Sequence, residues 1–132
     1  MEQDFAMQAK LDLEASNQNL PTQQNLIKKA FDNTLSDIQV QGIGTVIKIL
    51  RDDLKGSRHQ KFILRLTSGQ TLLIAHNIDL APRINSIKTG DIIEFNGEYE
   101  WNSKGGLIHW THHDPKGYHE GGWLKHNGHT YQ

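Results

Sequence analysis

The sequence predicts a mainly β protein: one short helix followed by five antiparallel strands that roll into a small barrel. Three observations predict it. One segment near the start repeats its apolar residues at helical spacing. From Ile38 onward, apolar and polar residues alternate in short runs. Turn residues separate those runs at spacings that suit a barrel, with no strong internal repeat.

The helix is read over 22–33. Pro21 suits a first helical position, and Leu26, Ile27, Ala30 and Phe31 share one face. So short a helix must lay that face on something else. Asn33 and Ser36 allow it to stop. The first strand runs from Ile38 to Leu50, with Gly42 and Gly44 marking a bulge or sharp bend. A polar loop over 51–58 leads to a second strand, His59 to Leu66. Thr67-Ser68-Gly69 turns the chain into a third, Gln70 to His76. Residues 77–89 are irregular. The fourth strand runs from Ile92 to about Trp101. The two glycines of Asn102-Ser103-Lys104-Gly105-Gly106 turn it into the fifth, Leu107 to Thr111.

A bent first strand, a 1–2–3 meander and a later 4–5 hairpin fit the oligonucleotide/oligosaccharide-binding (OB) barrel. Strand order is not readable from sequence, so another small antiparallel barrel or an SH3-like barrel stays open. The 132 residues suffice for one domain. Residues 14–25 are polar and low in aromatics; residues 1–20 are read as a flexible arm, and 21–132 as a single OB-like domain with a His/Trp-rich C-terminal segment.

Composition excludes several function classes. With 14 Lys+Arg against 15 Asp+Glu, the chain does not coat nucleic acid or an anionic membrane by charge alone. The absence of cysteine excludes disulfide and thiolate chemistry. The longest unbroken apolar run is Leu72 to Ala75, so no membrane span is expected. Phe5, Met7, Leu11 and Leu13 are interrupted by polar residues and make no export signal. As written the chain reads as cytoplasmic, or as periplasmic or secreted if a leader has been removed. A monomer or small homo-oligomer is expected.

Chemistry concentrates at the C-terminal end. Six of the eight histidines lie in the last 24 residues, with two of the three tryptophans. If the fifth strand continues to His113, His109, Thr111 and His113 share one face. The turn Asp114-Pro115-Lys116-Gly117 then folds the chain back and lets His119 and Glu120 approach. Neutral imidazoles suit a divalent transition metal such as Zn, and His109, His113, Asp114 and His119 are the candidate metal set. No His-Glu-x-x-His motif is present. General acid–base work by a histidine oriented by Asp114 or Glu120 is a second reading. The plain structural alternative is that these residues cap the barrel end by stacking and hydrogen bonding.

A ligand-binding set is read as His76, Trp101, Trp110, His112 and Arg58. His76 ends the third strand. Tyr99, Trp101 and Trp110 form an aromatic set that serves either the core or a base- or sugar-stacking surface. Glu98 and Glu100 alternate with Tyr99 and Trp101, so one pair faces out. Arg51, Lys55, Arg58, Lys61 and Arg65 lie where OB barrels hold ligands, but 11 basic and 10 acidic residues after Ser36 leave the barrel near neutral. Two functions follow: a ligand-binding module for an oligosaccharide or nucleic acid, or a metal-dependent hydrolase or nuclease using the His/Asp cluster.

The segments Gly56 to Phe62, Ala75 to Ile84, Gly97 to Asn102 and His109 to Gly128 resemble a bacterial family of uncharacterised small proteins, domain of unknown function 3465. The run Trp110-Thr111-His112-His113-Asp114-Pro115 is specific to it, and the likeness covers about residues 26–132. The resemblance implies a small β-barrel and brings no catalytic residues with it. Members of the family often look exported, unlike this N-terminus. Such genes also occur on mobile elements, which implies an accessory role.

Overall fold

A computed structural model describes residues 20–132. The arm read at 1–20 lies, apart from Leu20, outside the described residues. Helix α1 spans Leu20–Asp32 and starts two residues earlier than the periodicity predicts, with Pro21 in its first turn. It stops at Thr34, which adopts φ 57°. The Leu35 N–H reaches back to the Ala30 carbonyl at 2.9 Å, closing the helix end without glycine.

Strands β1 (Ile38–Ile49), β2 (His59–Arg65), β3 (Thr71–Asn77), β4 (Ile92–Glu100) and β5 (Leu107–His109) follow. They close in the order β1-β2-β3-β5-β4 and back to β1, an OB-like barrel. Residues 38–45 of β1 pair with β4, and 45–49 pair with β2. The register slips between Val46 and Lys48, so the bulge lies beyond the glycines. Gly42 and Gly44 serve close packing instead: a Cβ on Gly42 would lie 2.6 Å from Phe95 Cζ, and one on Gly44 3.1 Å from the Arg65 carbonyl. A short parallel pairing, Leu73 with Leu107 and Ile74 with Ile108, completes closure.

Inward residues alternate along every barrel strand. Phe62, Leu64, Leu72, Ile74, Ile93, Phe95, Tyr99 and Ile108 are fully buried at the centre. Helix α1 sets Leu26, Ile27 and Ala30 against this core. Gln70 ties the helix to the barrel turns by donating to the carbonyls of Ile27 and Gly105. Gln60 pins the irregular 77–89 segment by donating to the Ile84 carbonyl at 2.8 Å and accepting from its N–H at 2.9 Å.

Two further strands, β6 (Trp123–His126) and β7 (His129–Tyr131), form a C-terminal hairpin that the five-strand count does not include. Asn127 and Gly128 turn it with φ 50° and 80°, as a type I′ turn requires. The hairpin extends the sheet from β4. Glu98 and Glu100 of β4 face β5, whereas Glu94 to Asn96 face β6. The chain from β5 to β6 must therefore leave the sheet after His109 and return at Trp123. Among the described residues, no helix is long and apolar enough to cross a membrane.

Candidate metal centre

The exit from β5 brings carboxylates and imidazoles together on the outside of the barrel. Tyr99 points inward and is fully buried, with its hydroxyl donating to the Gly105 carbonyl at 2.9 Å. Strand alternation then sends Glu98 and Glu100 outward. Glu98 is the cross-strand partner of His109. His109 Nε2 lies 3.1 Å from Glu98 Oε2 and 3.4 Å from Glu100 Oε1. It is a buried nitrogen that forms a hydrogen bond to neither.

These separations suit an ion pair to a protonated ring, and they also match the spacing between ligands of a bound ion. Two ligands at 2.0–2.1 Å from a tetrahedral ion stand roughly 3.4 Å apart. One ligand atom each from Glu98, Glu100 and His109 lies within 4.8 Å of the others. These side chains are 18%, 40% and 28% exposed, so the cluster is sheltered yet reachable. One imidazole with two carboxylates is a donor set that fits Zn, and three protein ligands leave a position open.

The 110–122 loop arches beside this cluster. Trp110 leaves the strand at φ 56°, a left-handed conformation that turns the chain outward. The Asp114 carboxylate accepts from the backbone N–H groups of Lys116, Tyr118 and His119, at 3.0, 2.9 and 2.8 Å. Those bonds hold the Asp114 carboxyl below its ordinary pKa. The loop returns through Gly122, whose N–H donates to the His112 carbonyl. A Cβ there would lie 2.3 Å from the carbonyl oxygens of both Asn96 and Trp110.

This path sets His119 over Glu98. Its Nε2 lies 3.1 Å from Glu98 Oε1, its Nδ1 lies 2.7 Å from the Glu120 carbonyl, and its ring stacks on Trp110 at 3.8 Å and 8°. Both ring nitrogens face acceptors, an arrangement that only the protonated ring satisfies in full. Burial lowers the pKa of His119, but the bonds to Glu120 and Glu98 and the nearby Asp114 charge outweigh it and raise the value.

The residues singled out by sequence thus separate. His109 belongs to the ligand cluster, and His119 holds the opposite oxygen of Glu98. Asp114 organises the loop through backbone bonds, and His113 is exposed. Glu98 and Glu100 complete the cluster. Their alternation is visible in the sequence, but their pairing with His109 is not, because register across strands decides it.

Part of the candidate ligand set lies together: the rings of Trp110 and His112 stand 5.2 Å apart, and His112 is near enough to His76 to lower its pKa. His76 is fully buried between the Thr111 hydroxyl, 2.7 Å from Nδ1, and the Pro82 carbonyl, 2.9 Å from Nε2. Nε2–H therefore donates, and Nδ1 accepts from Thr111. Burial pushes its pKa down to about 4 against the Pro82 bond, with smaller contributions from His112 and His59. His112 is also buried, and its Nδ1 donates to the His113 carbonyl at 2.6 Å. Trp101 stacks on Phe31 at 6.2 Å and donates from its indole to the Phe31 carbonyl. Arg58 is engaged with Asp79, Nε to Oδ1 at 2.7 Å.

Comparison with known proteins adds the family. The sequence matches the family described as "Protein of unknown function (DUF3465)" over residues 10–132. No curated protein matches it at a significant level. Among solved structures, the hypothetical protein ygiW from E. coli is similar, at 18% identity and a TM-score of 0.41. That likeness covers 61% of this chain and 77% of the other.

Proposed function

The chain belongs to the DUF3465 family of proteins of unknown function, and we propose that it is a binding module for a divalent transition metal ion, Zn²⁺ by its donors, held by Glu98, Glu100 and His109. One observation carries this reading. The His109 imidazole nitrogen stands between two carboxylates, out of water and without a hydrogen bond. An unprotonated nitrogen there would face two carboxylate charges with no proton to share, a cost that an ion removes.

The aromatic residues support an ion over a stacked ligand. Trp101 and Trp110 each have a ring face taken by Phe31 and His119, and Trp123 lies under the Lys125 ammonium at 4.3 Å. The two carboxylates also repel a phosphate backbone from the metal-free surface. A nucleic acid or an oligosaccharide is therefore the weaker class of ligand for this patch.

Metal analysis and calorimetry on protein carrying no polyhistidine tag test the proposal. The expected result is uptake of one Zn²⁺ per chain, a raised melting temperature, and loss of both in His109→Ala. No uptake, or unchanged uptake in His109→Ala, overturns it. An oligonucleotide or glycan retained by the metal-free protein would move the reading to that class. The open coordination position also favours a second reading, a metal-dependent hydrolase in which the ion activates water. Turnover of a chromogenic phosphodiester by the Zn²⁺-loaded protein, absent from His109→Ala, would support it.

A further inference from the structure

Glu98 uses its two oxygens in different directions. Oε2 faces His109, while Oε1 lies 3.1 Å from His119 Nε2. Without a partner on Oε1, a partly exposed glutamate on a strand rotates freely about its side-chain bonds and loses entropy on binding an ion. The Nε2 contact removes that freedom.

The loop in turn is built to hold the imidazole still. Asp114 accepts the His119 N–H, the Glu120 carbonyl accepts from Nδ1, and Trp110 covers one ring face. Gly122 lets the loop lie against the backbone of Asn96 and Trp110. Two of these restraints act on the ring and one on the backbone that carries it, while the ring itself lies outside the ligand cluster.

We propose that His119 is the positioning residue of the metal site: its Nε2–H fixes Glu98 through Oε1, so that Oε2 is presented to an ion shared with His109 and Glu100. This deepens, and rests on, the metal-binding reading above. The histidine-rich loop then belongs to the site although it supplies no ligand. Ion affinity and loop order are coupled, each strengthening the other. Partners of this kind that orient a ligating group are typically worth roughly 10–100-fold in metal affinity.

Three substitutions of His119 in the full chain separate positioning from packing. His119→Gln carries an amide N–H near the position of Nε2 and keeps the bond to Glu98. His119→Asn is too short to reach. His119→Phe keeps the stack on Trp110 but has no donor. Zn²⁺ affinity, measured by competition with a chromogenic chelator, is expected to fall in the order wild type, Gln, then Asn and Phe. Gln should stay within a few-fold of wild type, and Phe should lose roughly 10–100-fold. Stoichiometry should stay at one ion per chain throughout.

A packing role predicts the reverse, with Phe the tightest-binding variant, and that order would overturn the assignment. Loss of stoichiometry in Gln, Asn and Phe alike would make His119 a ligand instead, and would equally overturn it. The underlying reading fails separately: a wild type that takes up no Zn²⁺, or a His109→Ala variant that binds normally, removes the site itself and His119's role with it.

Discussion

Glu98 and His109 are direct partners across β4 and β5, with Oε2 of one 3.1 Å from Nε2 of the other. Because both sit on paired strands of a closed barrel, little rearrangement is needed to bring them together. A site on such elements is more exactly held than one assembled from loops.

Glu98→Gln keeps the shape of the side chain and removes its charge. Zn²⁺ affinity should fall by more than the roughly 10–100-fold assigned to an outer hydrogen-bond partner. Isothermal titration on the metal-free protein checks this. Glu98→Gln binding as tightly as wild type would exclude Glu98 as a ligand.

His76 makes the fold sensitive to acid. Its folded pKa is about 4, below the 6.5 of an unfolded histidine. The unfolded chain therefore binds the extra proton between these values. The stabilisation is complete above pH 6.5 and is lost as pH falls toward 4, by an amount on the order of 3 kcal/mol. Urea midpoints across pH 4–7 should show a shallower decline in His76→Gln than in wild type. Parallel curves would mean that His76 is not the group responsible.

Gly122 and Gly117 should respond differently to alanine. At Gly122 a Cβ meets two backbone oxygens at 2.3 Å, so Gly122→Ala must displace the loop or β4. The expected loss is about 1–3 kcal/mol, as for other overpacked sites. At Gly117, φ is 70° and no atom lies within 4 Å of the added carbon. Gly117→Ala meets only the smaller penalty of a left-handed backbone, about 1 kcal/mol. Chemical unfolding of the two variants checks the order.

Besides its pairing with β4, the C-terminal hairpin is held by a bond from buried His126 to Asp91. His126 Nε2 lies 2.8 Å from Asp91 Oδ2, and its side chain is 1% exposed. That bond, more than the Lys88 N–H and the charges nearby, holds the Asp91 carboxyl below its ordinary pKa. His126→Leu should raise the Asp91 pKa toward its ordinary value and loosen β6 and β7. Carboxyl titration by NMR reads the first effect, and amide exchange at Leu124 reads the second. An unmoved Asp91 titration would show that the Lys88 bond dominates.

Much of the barrel is legible along the chain because its signals are local. Alternation within the runs from Ile38 to Leu73 marks the inward strand residues there, though it leaves the side taken by Tyr99 open, and the turns at Thr67-Ser68-Gly69 and Asn102 to Gly106 fall where the backbone needs them. The bulge in β1 is less legible. Gly42 and Gly44 resemble bulge residues, yet they exist to admit Phe95 and the β2 backbone, and those neighbours are distant in sequence. Strands β6 and β7 are missed for a related reason. Each is only three or four residues long, and histidines at inward or paired positions obscure the apolar period.

The candidate site divides along the same line. That histidine and carboxylate chemistry gathers near residues 109–120 could be read from composition and spacing alone. Which imidazole meets which carboxylate could not. The sequence by itself determined the barrel's inward face, its turns and the enrichment of imidazoles at one end, since these depend on residue period and on neighbours a few positions away. Only the tertiary structure decided that Glu98 and Glu100 join His109 while His113 faces water. Strand register and the return of the loop through Gly122 set those distances, and both arise from contacts between segments far apart along the chain.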